Sequence, residues 1–360
     1  MIYLFFKLFH ANPLIMGDIL YSRMSVAFLM SFFICILCIK KTKDIFKKIN
    51  VTERVRGFLH SEEDRAAKQK TPTMGGVSIV LAILIAVLMV ADLSNKYLVV
   101  CIAVMVLFAL IGFADDYAKL LNIFDGGLPA KTRFLMEIVV AIGAIFSVNA
   151  ISQNWEYENI LTFTFITNWS LYLGALYTIM RIFAIVGCAN ATNLTDGLDG
   201  LLTMPAFVVS LCIAFFAIIV DSNTVSHILI QHVDGVSELA VLCCAVAGAL
   251  IGFLWFNSSP ASIFMGDVGS LAIGGVISCV ACIIKCELLL FVIGGVFVSE
   301  TLSVVIQVMS FKLRGGKRIF KMTPIHHHFE LSGVKESKIS VRAFIITIML
   351  CAFAALVTVQ

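Results

Sequence analysis

The chain has 360 residues, of which 60% are hydrophobic and only 14% charged, and its mean hydropathy is +1.00. This composition excludes a soluble globular protein and makes the lipid bilayer the solvent. A formal net charge of +3 gives no bulk positive field for binding nucleic acid, so what matters is where the charges lie.

Residues 1–16 carry Lys7 and His10 and lack a small-residue cleavage site, which predicts an interfacial helix rather than a signal peptide. Apolar runs of the length that crosses a hydrocarbon layer then recur to the end of the chain. Ten crossings are expected, over residues 19–39, 74–93, 97–114, 133–151, 170–188, 201–220, 238–256, 268–284, 288–309 and 341–359. No stretch between them suffices for a soluble domain, so residues 1–360 read as one all-α polytopic unit. Two cysteine pairs, Cys35 with Cys38 and Cys279 with Cys282, have a metal-site spacing, but both lie inside apolar runs, where cysteine acts as a small packing residue.

Lysine and arginine stay on the cytoplasmic side of a membrane. The loop from Lys40 to Thr71 holds ten of them, and the segment from Phe311 to Arg342 is nearly as basic. Both follow odd-numbered crossings and therefore share one face, together with the loops after residues 119, 190 and 257. The opposite connections offer only Lys96 and Lys285, which places both termini on the outer, periplasmic side. Residues 162–166 alternate in a way that fits a small external hairpin.

The basic face also collects the unusual polar residues, which predicts a site facing the cytoplasm. Asp115 and Asp116 end the third crossing. Carboxylates at a helix C-terminus oppose the macrodipole, so Lys119, Lys131 or a metal ion is expected to compensate them; otherwise they only mark the interface. After the fifth crossing, Asn190, Asn193, Asp196, Gly197 and Asp199 lie in one run of amides, carboxylates and glycines. Such a run can approach a ligand closely and read a base or ribose through hydrogen bonds, where an ordinary turn would need only two or three of them. Asn257 closes the seventh crossing, and Phe264 to Ser270 opens the eighth, with Asp267 suited to capping or to Mg²⁺. Following the ninth crossing, His326, His327 and His328 stand between Lys321 and Glu330. Three consecutive imidazoles cannot easily converge on one zinc ion, which favours phosphate binding or proton handling. Gln307, Glu300, Glu137 and Arg181 lie within crossings, and pairing with other buried groups is the default for the last three. Carboxylates for a hard cation, basic groups for phosphates, amides for a nucleoside and a membrane surface for a lipid together fit phosphoryl transfer at the interface.

The segments Lys70 to Gly76, Asp115-Asp116, Asn193 to Gly200, Phe264 to Ser270 and Pro324 to Phe329 resemble, in order and spacing, the signatures of the phospho-N-acetylmuramoyl-pentapeptide transferases. These belong to the polyprenyl-phosphate N-acetylhexosamine-1-phosphate transferases. The resemblance runs nearly end to end. It implies ten helices with external termini and a Mg²⁺-dependent reaction of UDP-MurNAc-pentapeptide with undecaprenyl phosphate that gives lipid I and UMP. It further implies that Asp267 holds Mg²⁺, that Asp115 and Asp116 place or activate the lipid phosphate, and that His326 and His327 line the cleft. Lys70, Asn193, Asp196, Asn257, Phe264 and Gln307 would surround the uridine diphosphate, Lys119 and Lys131 would face phosphates, and the protein would be a homodimer. Arg181 is unusual for the family. Two other readings stand beside this one: a related transferase using UDP-GlcNAc, against which the three histidines argue, and a transporter, whose polar residues should sit at the bilayer midplane.

Overall fold

The structure, a computed structural model, describes residues 16–48, 71–121, 126–152, 157–163, 170–222 and 233–358. Residues 1–15, with the expected interfacial helix, and Lys70 lie outside them. The helices are α1 (Met16–Lys48), α2 (Gly76–Val90), α3 (Lys96–Leu121), α4 (Ala130–Ile151), α5 (Ala175–Thr195) and α6 (Thr203–Asp221). They continue as α7 (Glu238–Asn257), α8 (Gly266–Ile283), α9 (Glu287–Ile293), α10 (Gly295–Leu313), α11 (Ile325–Glu330) and α12 (Glu336–Thr358).

Among the described residues, nine helices are long and apolar enough to cross a membrane, which makes this a multi-pass membrane protein. The second expected crossing, 74–93, corresponds to α2, whose 15 residues form a shorter apolar helix. At 1.5 Å per residue it spans only about 22 Å. Its start is set by pairing: the backbone N–H of Gly75 and of Gly76 donate to the carbonyls of Phe264 and Met265, and Phe264 N–H donates to Pro72. Residues 72–75 therefore belong to a bridge with the start of α8, and two of the sequence signatures meet there. The ninth expected crossing is broken, α9 ending and α10 beginning at the Gly294–Gly295 pair.

The fifth crossing also starts later than its apolar run. Residues 170–172 form strand β2 (Ser170–Tyr172), antiparallel to β1 (Ile160–Thr162), with Leu161 opposite Leu171. A hairpin is present between α4 and α5, though residues 164–169, which hold most of the alternating segment, are outside the described set.

Within the bundle, α8 is the most enclosed helix and packs on α3, α5 and α2, while α7 fills the space between α1 and α6. Both are rich in Gly, Ala and Cys, with Ser as well in α8, the residues that let helix backbones approach without a hydrophobic driving force. All eleven cysteines are free thiols within this packing, none of them exposed.

Towards the end of α5 remote from Asn193, the fully buried Arg181 finds hydrogen-bond partners from two other elements. Its guanidinium donates to Glu158 Oε2 at 2.6 Å and to Asn149 Oδ1 at 2.6 Å. Lys285 reaches the same Glu158 oxygen at 3.2 Å, and both cations lie 4.7 Å from the Tyr177 ring. Burial opposes ionisation of Glu158, yet Lys285 and Arg181 hold its carboxyl below the usual carboxylate range. The packing question that Arg181 raises is answered by this cluster, which ties the turn before the hairpin to α4, α5 and the end of α8.

One close approach positions the site. A Cβ on Gly112 of α3 would stand 2.2 Å from the carbonyl oxygen of Asp267 in α8, so only glycine allows the two backbones to meet one turn before Asp115. Gly112→Val should force α3 and α8 apart and cost about 2 kcal/mol or more. A lower unfolding temperature in detergent, with unchanged helical content, is the expected measurement.

Candidate active site

The last turns of α3 and the first turn of α8 bring three carboxylates together. Asp115, Asp116 and Asp267 each offer an oxygen within 4.8 Å of the others, and Asp115 and Asp116 are buried. Lys119, one turn further along α3, sends its Nζ among them, at 2.7 Å from Asp115 Oδ2, 3.3 Å from Asp116 Oδ1 and 2.8 Å from Asp267 Oδ2. Lys119 is therefore one compensating cation that the sequence requires. The other is Arg133 rather than Lys131, which is exposed in the first turn of α4. Arg133 Nη1 lies 3.2 Å from Asp267 Oδ2 and 3.9 Å from Asp115 Oδ2.

Backbone amides complete the cradle. Leu128 N–H donates to Asp115 Oδ1 at 2.8 Å, and Val268 N–H to Asp116 Oδ2 at 3.3 Å. Asp267 sits in the first turn of α8, where the helix dipole favours negative charge. The turn before it requires Gly266: its φ is +74°, and a Cβ there would fall 2.6 Å from Asp116 Oδ2. A set of three carboxylates with no sulfur or imidazole fits a hard, oxygen-seeking divalent cation, and it enlarges the expected ligand Asp267 by Asp115 and Asp116.

The C-terminal end of α5 joins this centre to a second one. Asn193 Nδ2 donates to Asp267 Oδ1 at 2.7 Å and to Ser270 Oγ at 3.0 Å. Asn190 accepts from Arg133 at 3.3 Å and donates to Glu137 Oε2 at 2.5 Å, while Arg133 Nε lies 3.5 Å from Glu137 Oε1. Asp196 caps α5, half-buried. The next residue, Gly197, lies directly against His326: a Cβ on it would be 2.3 Å from Nε2 of that ring. His326 Nδ1 is 2.9 Å from Glu300 Oε2, and the His326 and His327 ring centroids are 4.2 Å apart. His327 Nδ1 is 3.0 Å from Glu330 Oε2.

Other expected site residues hold the surrounding loops. Asn257 Oδ1 accepts from Gly200 N–H and Thr203 Oγ1, both at 3.1 Å, and its Nδ2 donates to the Ile263 carbonyl at 3.1 Å. Asp199 Oδ2 accepts from Ala261 N–H at 3.0 Å. Phe264 is half-buried in the bridge to Pro72 and Gly75. Gln307 binds the backbone of Ile319 and Phe320 through both ends of its amide, and His328 Nδ1 accepts from Lys321 N–H at 3.1 Å.

Taken as a class, this is an integral membrane protein with a carboxylate cluster set at helix ends and facing fixed cations. Residues 97–285 match the family model described as glycosyl transferase family 4. The chain is 41% identical over 347 residues to the phospho-N-acetylmuramoyl-pentapeptide-transferase of Orientia tsutsugamushi (strain Ikeda), covering 94% of this chain and 95% of that protein. It is 43% identical over 333 residues to the protein of the same name from Desulfosudis oleivorans, covering 92% and 91%. The chain belongs to the phospho-N-acetylmuramoyl-pentapeptide-transferase family.

Arg133 and Glu300 were not legible as site residues. Arg133 stands two positions after Lys131 and four before Glu137, a spacing that marks a helical ion pair and is the signal by which it could have been found. Removing the charge in Arg133→Met strands the fully buried Glu137, and the expected cost is about 3 kcal/mol. Adding Glu137→Gln should recover part of the lost unfolding temperature, because the stranded Glu137 charge is then gone while Asp267 and Asp115 still lack the guanidinium.

Proposed function

We propose that the protein transfers phospho-N-acetylmuramoyl-pentapeptide from UDP-MurNAc-pentapeptide to undecaprenyl phosphate, releasing UMP and forming lipid I. The observation that carries this reading is the carboxylate–lysine centre in a chain more than 40% identical, over more than 90% of its length, to two proteins of that name. Those two names favour it over transfer of a UDP-GlcNAc-derived group and over transport. With α2 counted, the chain crosses the bacterial inner membrane ten times, and the basic segments 40–71 and 311–342 put the centre on the cytoplasmic face. The unit works as a homodimer.

In this reading an oxygen of the lipid phosphate attacks the sugar-bearing phosphorus of the donor, the bond to the bridging oxygen breaks, and UMP leaves with the electron pair. Asp267, with Asp115 and Asp116, would hold Mg²⁺, which when bound would offset the charge of the diphosphate. Lys119 and Arg133 add fixed positive charges beside it, in a site whose burial strengthens each interaction. Asp115 and Asp116 place or activate the lipid phosphate. The turn at Asn193, Asp196 and Gly197, with Lys70, Asn257, Phe264 and Gln307, borders the uridine diphosphate, and His326 and His327 handle protons at the cleft wall.

The test is UMP release by purified protein in nanodiscs, given both substrates and Mg²⁺, with UDP-GlcNAc as competing donor. Release should need the lipid, the metal and the muramoyl donor; release from UDP-GlcNAc alone would move the protein to the related transferases. Asp267→Asn should lower turnover roughly a hundredfold or more and abolish the Mg²⁺ dependence. Lys119→Met should lower the unfolding temperature in metal-free buffer, since three carboxylates then lose their nearest cation, and Mg²⁺ should raise it by more than in the wild type.

A further inference from the structure

Glu300 forms a buried pair with His326 and has no role in the reaction proposed above. They come from different elements, α10 and the first turn of α11, and both are almost fully enclosed, at 3% and 1% exposure. One carboxylate oxygen, Glu300 Oε2, receives two groups of the same residue: the backbone N–H of His326 at 3.3 Å and its ring Nδ1 at 2.9 Å. An ionised carboxylate only accepts hydrogen bonds, so the ring nitrogen facing it carries the proton. That holds for the neutral ring and for the charged one. The proton that can come and go is therefore on Nε2. This atom is buried and has no hydrogen-bond partner among the described residues, and it lies over Gly197, the only residue type whose lack of a Cβ leaves room for the ring.

We infer that Glu300 is a positioning residue: it pins a proton on Nδ1 of His326 and leaves Nε2 as the single nitrogen that exchanges a proton with a ligand held at the Asp196–Gly197 turn. The inference rests on the proposed reading of that turn as part of the donor site. It also separates two roles for the histidines. A ring with Nδ1 fixed and Nε2 bare accepts from an N–H or O–H of the donor, whereas binding a phosphate oxygen needs a proton on Nε2. His326 is thus fitted for proton handling. His327 differs, because its partner Glu330 lies three residues away on the same short helix and its side chain is 22% exposed.

Glutamine is nearly isosteric with glutamate but can donate as well as accept, so Glu300→Gln removes the tautomer preference with little change of shape. The tautomer is read by ¹⁵N NMR of histidine-labelled protein in nanodiscs, and UMP release gives kcat and KM. The wild type should show the His326 proton on Nδ1, and Glu300→Gln should shift it in part to Nε2. In that variant kcat should fall roughly tenfold to a hundredfold, with KM for the donor within about twofold and the unfolding temperature unchanged. Glu300→Asp, which keeps the charge, should restore the Nδ1 proton. On a His326→Gln background, Glu300→Gln should add no further loss. An unchanged tautomer in Glu300→Gln, or losses that multiply on the His326→Gln background, would overturn the inference. Full turnover in His326→Gln alone would sink the proton-handling role of that residue, while the NMR result would still decide what Glu300 does to the ring.

Discussion

Three carboxylates in one buried pocket repel each other and lose their hydration, and the rest of the structure answers that constraint. α3 could not hold its two aspartates at a membrane-level helix end alone, because it presents them against its own dipole. The answer is Lys119, whose Nζ touches all three, with Arg133 behind it and two backbone amides on the remaining oxygens. Arg133 in turn draws in Glu137 of its own helix and Asn190 of α5, so α4 and α5 are fastened to the centre by polar contacts as well as by apolar packing. A centre that gathers this much fixed charge is preorganised for anionic substrates, since its dipoles and cations are in place before anything binds.

Small residues make such a centre geometrically possible. Lipid offers no hydrophobic drive between helices, so close packing must supply it, and glycine at position 112 lets α3 lie on the first turn of α8. The same contact fixes Asp267 relative to Asp115 and Asp116. The bridge between residues 72–76 and 264–265 acts on the other side of that turn. It shortens α2, and it brings the end of the basic loop to the carboxylates. Packing and chemistry are here one set of contacts.

Much of this was legible in the sequence, because long apolar runs have few solutions in a bilayer. The helices lie where the runs predicted, and the polar segments at their ends hold the centre. What could not be read were features set by tertiary pairing. An apolar window spanning 74–93 gives no sign that its first residues bond to Phe264 and Met265, and the 288–309 window hides the break at Gly294. The start of α5 was misplaced because Ser170 to Tyr172 are apolar enough for a helix yet pair with Ile160 to Thr162. Among the site residues, the aspartates and histidines announced themselves by their type and clustering. Glu300 did not, since a lone carboxylate inside a crossing looks the same whether it steadies a helix or pairs with a buried imidazole.

The position of Gly197 shows how the two centres depend on one helix end. Asn193 is bonded to Asp267, and four residues later Gly197 meets His326, so the carboxylate centre and the histidine pair are separated by little more than one turn of α5. A shift of that turn moves both. Asn257 resists such a shift by tying Gly200 and Thr203 to the Ile263 carbonyl, three residues before α8 begins. Its three hydrogen bonds are all internal, which gives it a direct reason to be an amide whether or not a ligand lies beside it. The uncommon run from Asn190 to Gly200 thus has a physical logic beyond ligand contact: amides and glycines are the residue types that can lock a turn between the carboxylate and histidine clusters without filling the space between them.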